Sequence, residues 1–288
     1  MYTIRPAVAD DKSDLASFTQ STFDWGDYIT ERFDSWLTDP DGHLIVVELE
    51  GRAVGVARAG LLSPSELWLQ GSRVHPDHRG RRLSEDMSAE LQRWGVERGA
   101  AVVRLYIEDW NLVPQHLVTT GGFRRVSRWL LGHRDIVNRD PQPTGNGGLR
   151  VPGDERLRPA PKAEAEPAFM AWSTSEIGRA ARGLFVNNWS WRQLTVSDLE
   201  AAAPEGTFLE SASGWVLASR SDQQLAVSWM MGNTEDTYRL VRAVLDRAIE
   251  TAATKLGFLV PATEALQTAL TRIGCDLEPG SIWEKSLR

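Results

Sequence analysis

Residues 73–84 read Arg-Val-His-Pro-Asp-His-Arg-Gly-Arg-Arg-Leu-Ser and connect a predicted strand to a predicted helix. The strand before them is apolar and ends at Val74, just ahead of a basic loop that contains Gly80. The helix after them repeats apolar residues at a spacing that places them on one face: Leu83, Met87, Leu91 and Trp94. The stretch therefore predicts a strand–loop–helix unit whose loop opens directly into the helix.

The start of this helix is a predicted anion site. A helix N-terminus leaves backbone N–H groups unpaired and concentrates positive dipole charge there. Arg79, Arg81 and Arg82 lie at the same end, where they oppose the helix dipole unless an anion lies between them. Because a guanidinium binds phosphate through two parallel hydrogen bonds, phosphate is the favoured anion. The alternative is a solvated basic turn that binds nothing.

The composition is that of a globular protein without a nucleic-acid or membrane signature. Its 288 residues suffice for two domains, and 42% of them are hydrophobic and 25% charged. The net charge of −7, with acidic residues in excess in both halves, argues against a nucleic-acid partner. The chain has no apolar run of membrane-spanning length and no apolar signal core, so we expect a cytoplasmic protein with no membrane partner. Cys275 is the only cysteine, which excludes an internal disulfide and a cysteine-based metal cluster, and we expect no metal.

A linker rich in Pro, Gly and Asn divides the chain into two predicted domains. We place the first domain at residues 1–137, the linker at 138–154 and the second domain at 155–288. In the first domain the pattern predicts a strand, two helices, a two-stranded hairpin, a strand ending at Val74, the helix from Leu83, a further strand, a short helix from Asn111 and a last strand.

This order of elements, with the motifs Val74–Ser84 and Asn111–Phe123 in their places, resembles the GNAT superfamily of acyl-CoA-dependent N-acetyltransferases. The family pattern is a strand ending in Val-x-Pro, an Arg/Gln-x-x-Gly-x-Gly/Ala turn, a helix, a strand, an Asn and a short helix closing on Gly-Phe. The resemblance implies an α+β or α/β fold with a central mixed, mostly antiparallel sheet flanked by helices. It also implies acetyl-CoA as the co-substrate.

The resemblance assigns the cofactor-binding residues as well. The arm of the cofactor would be lined by Arg73, Val74 and His75, with a backbone N–H at or near Val74 as the oxyanion donor. The pyrophosphate would be held by Arg79, Gly80, Arg81, Arg82, Leu83 and Ser84. Asn111 would contact the cofactor near its reacting end.

The sequence departs from the family pattern at three positions. Arg82 replaces the middle glycine of the turn and Ser84 replaces its final Gly or Ala. Arg82 would either turn its side chain outward and add a phosphate contact or obstruct the site. Val118 occupies the position where the family often has a tyrosine that protonates the departing thiolate, so the acid of the reaction is left open.

The second domain repeats the same theme in degenerate form, so we predict a tandem arrangement of two GNAT-like domains. Its helical stripe from Leu240 to Ala252 follows a loop, residues 232–236, that carries Glu235 and Asp236 instead of arginines. These acids complement the helix dipole, with Asn233 or Thr234 as the predicted N-cap, and would repel a pyrophosphate. The alternative is an unrelated α+β domain.

The acid–base and acceptor residues are less well defined by the sequence. Glu66 and His116 are the predicted catalytic residues, with His75 and Asp109 as further candidates for the base. The predicted substrate-binding residues are Trp25, Tyr28 and Trp68. The acidic and aromatic segment 24–36 has a second interpretation as an amphipathic helix with its aromatic residues in the core and its acids in water.

The sequence thus predicts transfer of an acetyl group from acetyl-CoA to a primary amine of a small molecule by direct attack in a ternary complex. Two alternatives stay open: a catalytically inactive protein that binds CoA or an effector, and a protein-lysine acetyltransferase. We expect a monomer or a homodimer.

Overall fold

The computed structural model describes residues 1–20, 22, 26–137 and 155–287. The predicted linker, 138–154, and the predicted substrate-binding residue Trp25 lie outside these residues. The described chain divides into two compact units. Unit 1 comprises Met1–Ile107, Asn111–Arg124 and Trp283–Arg288, and unit 2 comprises Glu108–Trp110 and Arg125–Ile282.

The elements of the first half follow the predicted order closely. They are β1 (Thr3–Pro6), α1 (Asp11–Thr19), α2 (Ile29–Leu37), β2 (Gly42–Leu49), β3 (Arg52–Ser63), β4 (Glu66–Val74), a 3₁₀ turn (Pro76–His78), α3 (Leu83–Glu97), β5 (Val102–Glu108), α4 (Leu112–Thr120) and β6 (Arg124–Asp135).

The second half adds elements that the sequence pattern did not identify, above all three helices and a small hairpin near its start. It contains β7 (Arg158–Pro159), a 3₁₀ turn (Lys162–Glu164), α5 (Ala165–Thr174), α6 (Glu176–Ala181), β8 (Leu184–Asn187), β9 (Ser190–Gln193), α7 (Val196–Ala202), β10 (Phe208–Ser211), β11 (Gly214–Ser221), β12 (Gln224–Gly232), α8 (Thr237–Glu250), β13 (Lys255–Pro261), α9 (Glu264–Arg272) and β14 (Asp276–Ser286). Among the described helices, none combines the length and the apolar composition of a membrane-spanning segment.

Unit 1 is a sheet with helices on both faces. Its strands lie in the order β1-β2-β3-β4-β5-β14; the pairs β1–β2, β2–β3 and β3–β4 are antiparallel, and the β4–β5 pair is parallel. The face that packs on α3, called here the α3 face, buries Leu67, Leu69, Met87 and Val103. The opposite face, called here the α1–α2 face, buries side chains of α1 and α2 against β2 and β3. Within α2 the amphipathic interpretation is confirmed, because Phe33 is buried while Glu31 and Asp34 are exposed. It is wrong for Asp27, just before α2, whose side chain is fully buried against Arg73.

Unit 2 repeats this strand order. Its sheet runs β7-β10-β11-β12-β13 and then β6 and β14, and the β12–β13 pair is parallel. The strand beside β13 is β6, from the first half of the sequence, while the strand beside β5 in unit 1 is the end of β14, from the second half. The fold is thus present twice, and each unit takes its last strand from the other half of the sequence.

The compact units therefore differ from consecutive domains split at residues 138–154. The difference has a simple physical origin, since β6 and β14 have the same kind of apolar pattern and both complete the same kind of sheet edge. By strand propensity alone, either β6 or β14 could complete either sheet. The sequence therefore carries no signal that the two strands are exchanged.

One local expectation for unit 2 is wrong. The N-cap of α8 is Asp236, not Asn233 or Thr234, and no side chain makes a capping hydrogen bond there. Thr237, in the first turn, donates its hydroxyl back to the carbonyl of Asn233 at 3.0 Å instead. The carboxylate of Asp236 pairs with Arg239 at 3.1 Å, so it lies at the positive end of the helix but is used within the protein.

Candidate active site

A cleft opens in unit 1 between β4 and β5. The two strands pair at only three positions, from Glu66 opposite Val102 to Trp68 opposite Arg104. Beyond this point β4 continues to Val74 and β5 to Glu108 without pairing to each other in the described register. Parallel strands that part in this way leave backbone N–H and C=O groups that an extended ligand can bind.

A β-bulge in β4 lies on the wall of this cleft. Gly71 and Ser72 together oppose the single residue Ala57 of β3, and Gly71 has a φ of 69°. A Cβ atom at Gly71 would come within 3.0 Å of the Trp36 ring, so glycine is required both by the backbone angle and by the packing of α2. Bulges disrupt the ladder and re-aim side chains, and they are frequent next to active sites.

The bulge decides where Arg73 points. Strict alternation from Leu67 and Leu69 would turn Arg73 toward the α3 face, but the extra residue turns it toward the α1–α2 face. There its guanidinium binds the fully buried carboxylate of Asp27 at 2.6 Å and lies 5.5 Å from the Tyr28 ring centre. The side chain of Arg73 therefore holds the start of α2 against β4, and only its backbone faces the predicted cofactor arm.

The loop after β4 is short, basic and exposed. His75 N–H donates to the carbonyl of Val54 at 2.9 Å, which keeps the first loop residue on β3, and a 3₁₀ turn follows. Arg79, Arg81 and Arg82 are exposed, and the Nε of Arg79 donates to the carbonyl of Val74 at 3.4 Å. Leu83 is buried in the α3-face core, so it offers the loop only its backbone. The first turn of α3 has no side-chain cap, which leaves its N–H groups directed at this basic loop.

Arg82 takes the backbone conformation of the glycine that it replaces. It is the N-cap of α3 with φ 63° and ψ 16°, in the left-handed region. Its side chain is 82% exposed and lies 3.7 Å from Glu85 at the closest ion-pair distance. Of the two alternatives for this position, the side chain turns outward and does not obstruct the loop.

We expect this conformation to lower the free energy of unfolding. The left-handed region costs a non-glycine residue about 1 kcal/mol or more, because Cβ approaches the backbone. Arg82→Gly should therefore be more stable than Arg82→Ala by about 1 kcal/mol, and both variants lack the guanidinium equally. Urea unfolding of the two variants measures the difference. Equal midpoints and slopes would contradict the assigned backbone angle.

Glu66 lies at the closed end of the cleft and is engaged in an ion network. Its carboxylate accepts from the Nη1 of Arg104 at 2.5 Å and from the Ser63 hydroxyl at 2.9 Å, and both charged side chains are over 90% buried. Arg104 also donates from Nε to Glu284 at 2.8 Å. A buried carboxylate that is bound by a guanidinium and a hydroxyl has its oxygens engaged within the protein and joins the strands that carry these groups. This geometry fits a structural role for Glu66 rather than the predicted catalytic one.

The remaining predicted residues are spread around the cleft. Trp68 is 2% exposed at the last paired position of β4, so its ring belongs to the core and not to an open substrate surface. Tyr28 is half-buried at the N-cap of α2, with its ring against Trp36. Asn111 is the N-cap of α4 and makes no side-chain cap bond. His116 is exposed on α4.

Two residues that sequence reasoning missed flank the point where the strands part. Gln70 follows Trp68 on the same face of β4, and Tyr106 follows Arg104 on the same face of β5. Their position at this point follows from the register of the three paired positions, which the sequence does not give. The one signal in the sequence was the period-two alternation of side chains along β5.

Unit 2 has a corresponding pair of parting strands. Its parallel strands β12 and β13 pair at four positions and then part beyond Val227 and Phe258. The end of β12 after this point carries three large buried residues: Trp229, Met230 and Met231. The loop after it carries Glu235 and Asp236 in place of arginines. Among the described residues, no group of three or more potential metal ligands is close enough to hold a metal ion.

Comparison with known proteins agrees with this geometry. Residues 12–123 match the model of the acetyltransferase (GNAT) family. A search of curated proteins gives no match to the chain.

Solved structures similar to the whole chain have low sequence identity and nearly complete coverage. A GCN5-related N-acetyltransferase from Sphaerobacter thermophilus has a TM-score of 0.70 at 14% identity, over 100% of this chain and 96% of that one. An acetyltransferase from Thermoplasma acidophilum, named as putative, has 0.62 at 16%, over 99% of each chain. A tandem GNAT protein from the clavulanic acid biosynthesis pathway has 0.60 at 13%, over 100% of this chain and 99% of that one. At these identities the likeness is one of fold.

Proposed function

Residues 12–123 match the model of the acetyltransferase (GNAT) family, and from this match we propose that unit 1 transfers an acetyl group from acetyl-CoA to the primary amine of a small molecule. The observation that carries the proposal is the contrast between the two units. Unit 1 combines parting strands with a basic loop at an uncapped helix N-terminus, whereas the loop at the corresponding place in unit 2 is acidic. One acetyl-CoA per chain follows from the proposal.

The loop fits the phosphates of the co-substrate. The free N–H groups of the first turn of α3 and the exposed guanidinium groups of Arg79, Arg81 and Arg82 supply donors and positive charge to an anion. The backbone of Val74 and His75 and the bulge at Gly71–Ser72 line the path from this loop into the cleft. A backbone N–H released by the bulge is our candidate for the donor that stabilises the oxyanion.

The reaction proceeds by direct attack of the amine on the thioester carbonyl. The only cysteine, Cys275, is buried, and burial raises the pKa of its thiol to about 11. A thiol in that state is protonated near neutral pH and makes no nucleophile for an acyl-enzyme. Positioning of amine and thioester in one cleft supplies much of the rate in such a ternary complex.

A titration of acetyl-CoA into the purified protein tests the binding step. We expect micromolar affinity, about −8 kcal/mol, at one site per chain. Arg79→Ala should weaken binding by roughly 10- to 100-fold, because a charge-assisted hydrogen bond contributes about 1.5–3 kcal/mol. Calorimetry gives affinity and stoichiometry together.

Arg93→Ala is the matched control for this titration. Arg93 is an exposed arginine near the other end of α3, paired with Glu90 and Glu97, so its loss changes the net charge equally at a distance from the loop. Its affinity should stay within about twofold at physiological salt. Two sites per chain, or equal weakening by both substitutions, would contradict the assignment to the loop after β4.

The acceptor is tested by release of CoA in the presence of amines. Amino acids and polyamines, assayed one at a time with acetyl-CoA, should include at least one that raises the rate above background hydrolysis. Acetylation of a mixed protein extract without any response to small amines would favour a protein-lysine acetyltransferase. Tight binding with no transfer to either class of acceptor would favour an inactive CoA-binding protein.

A further inference from the structure

The side chains of β5 divide between the two faces of the sheet in unit 1. Val103, Leu105 and Ile107 pack in the core of the α3 face. Arg104 points to the α1–α2 face, because its guanidinium binds Glu66 and Glu284 there. Alternation along the strand therefore places Tyr106 on the α1–α2 face, two residues beyond Arg104.

The register places Tyr106 at the apex of the cleft. Arg104 is the last residue of β5 that pairs with β4, opposite Trp68. Tyr106 is thus the first side chain of this face after the strands part, and Gln70 is its counterpart on β4. Tyr106 is half-buried, so part of it is accessible to solvent while the rest is held by the fold.

Two positions that the sequence analysis considered for proton transfer are less suited to donate a proton. Glu66 is bound by Arg104 and Ser63. Val118, at the position where the family often has a tyrosine, has no hydroxyl and packs against the α3-face core. The remaining tyrosines of the chain lie elsewhere: Tyr2 bonds Asp86, Tyr28 caps α2 and Tyr238 lies in unit 2 under Arg272.

We propose that Tyr106 is the acid of the transfer reaction, an inference that rests on the function proposed for unit 1. The amine nitrogen forms a bond to the thioester carbonyl carbon, and the oxygen of that carbonyl takes up the electron pair. When the carbonyl re-forms, the C–S bond breaks and the sulfur takes the Tyr106 hydroxyl proton as it leaves as CoA thiol. The phenolate regains a proton from the amine nitrogen, directly or through water, so that amine and acetyl-CoA give amide and CoA with no net proton consumed.

Tyr106→Phe tests this role with little change in volume. We expect kcat to fall by about 10²-fold or more, in the range that removal of a general acid–base group produces. The dissociation constant for acetyl-CoA should stay within about threefold, because the hydroxyl acts on the leaving sulfur and not on the phosphates. The alkaline limb of the pH–rate profile should disappear with the hydroxyl.

The matched control is Tyr238→Phe, which removes a hydroxyl from unit 2 and should leave kcat and KM unchanged. Tyr106→His offers a different titratable group at the same place and should recover part of the lost kcat with a limb at lower pH, which a merely structural role would not produce. Thermal unfolding of each variant shows whether the fold is kept.

The outcomes separate this inference from the proposed function. A wild-type protein that acetylates an amine, together with a Tyr106→Phe variant within threefold in kcat, overturns the role of Tyr106 and leaves the function standing. A wild-type protein that binds no acetyl-CoA, or binds it and acetylates nothing, overturns both.

Discussion

Removal of residues 283–288 is expected to abolish folding of unit 1, although every residue of the matched GNAT region remains in the truncated chain. These six residues supply the strand beside β5. Trp283 is 8% exposed in the α3-face core, and Leu287 donates its N–H to the carbonyl of Ala101 at 2.9 Å. Loss of a buried tryptophan alone costs about 3–5 kcal/mol, a large part of the 5–15 kcal/mol that stabilises a typical domain.

Acetyl-CoA titration and urea unfolding of the truncated chain measure this effect. We expect no binding and the loss of one cooperative transition. Trp283→Ala in the full-length chain provides a second measurement that does not depend on the solubility of the truncated chain, with an expected loss of about 3–5 kcal/mol in the free energy of unfolding. Trp283→Phe, which keeps an aromatic ring, is the milder control. A truncated chain that binds acetyl-CoA as the full chain does would show that unit 1 does not need the exchanged strand.

Arg104→Leu is expected to lower the free energy of unfolding by about 3–5 kcal/mol. The substitution removes the shared cation from Glu66 and Glu284 and leaves the buried carboxylate of Glu66 without a charge partner. Breaking a buried ion pair from one side has this cost, because the remaining charge has lost both water and its counter-ion. Urea unfolding at neutral pH measures the change, and the linear slope shows whether the transition stays two-state.

Two control variants separate this effect from a general loss of arginine. Arg128→Leu removes an arginine that is 56% exposed and pairs with Asp109, and it should cost less than about 1 kcal/mol. Adding Glu66→Leu to Arg104→Leu should recover part of the lost stability, since it removes the uncompensated charge. A single variant as stable as the wild type would mean that the Glu66–Arg104–Glu284 network does not hold these strands together.

The elements of the first half could be predicted because their signals are local. The apolar spacing after Leu83 defines α3, and the apolar strand before Pro76 defines β4, within one residue at each end. The loop between them was also identified from residue types alone. In the second half, α5, α6, α7 and the β8–β9 hairpin were missed. The hairpin turn at Asn188–Trp189 has positive φ angles without the glycine that usually marks such a turn.

Sequence reasoning identified the loop that we propose for the phosphates of the cofactor, but not the groups at the apex of the cleft where we propose that the chemistry takes place. Phosphate recognition depends on a helix N-terminus and nearby arginines, and both are contiguous in sequence. The groups at the apex of the cleft come from two strands, and their meeting depends on register. No residue near Glu66 in the sequence indicates a partner for its carboxylate. Arg104, which binds it, lies 38 positions away, and Glu284, which binds the same guanidinium, lies 218 positions from Glu66.

The sequence by itself determined the fold family of the first half, the basic loop after β4 and the degenerate repeat of the same fold in the second half. Each of these rests on neighbours along the chain, where periodicity, capping and charge act over one or two turns. Only the tertiary structure decided three features: the exchange of β6 and β14 between the units, the turn of Arg73 toward Asp27 and the place of Tyr106 at the apex. The reason is that a single inserted residue in a strand, or a choice between two equivalent sheet edges, reverses which side chains meet while leaving the local pattern unchanged.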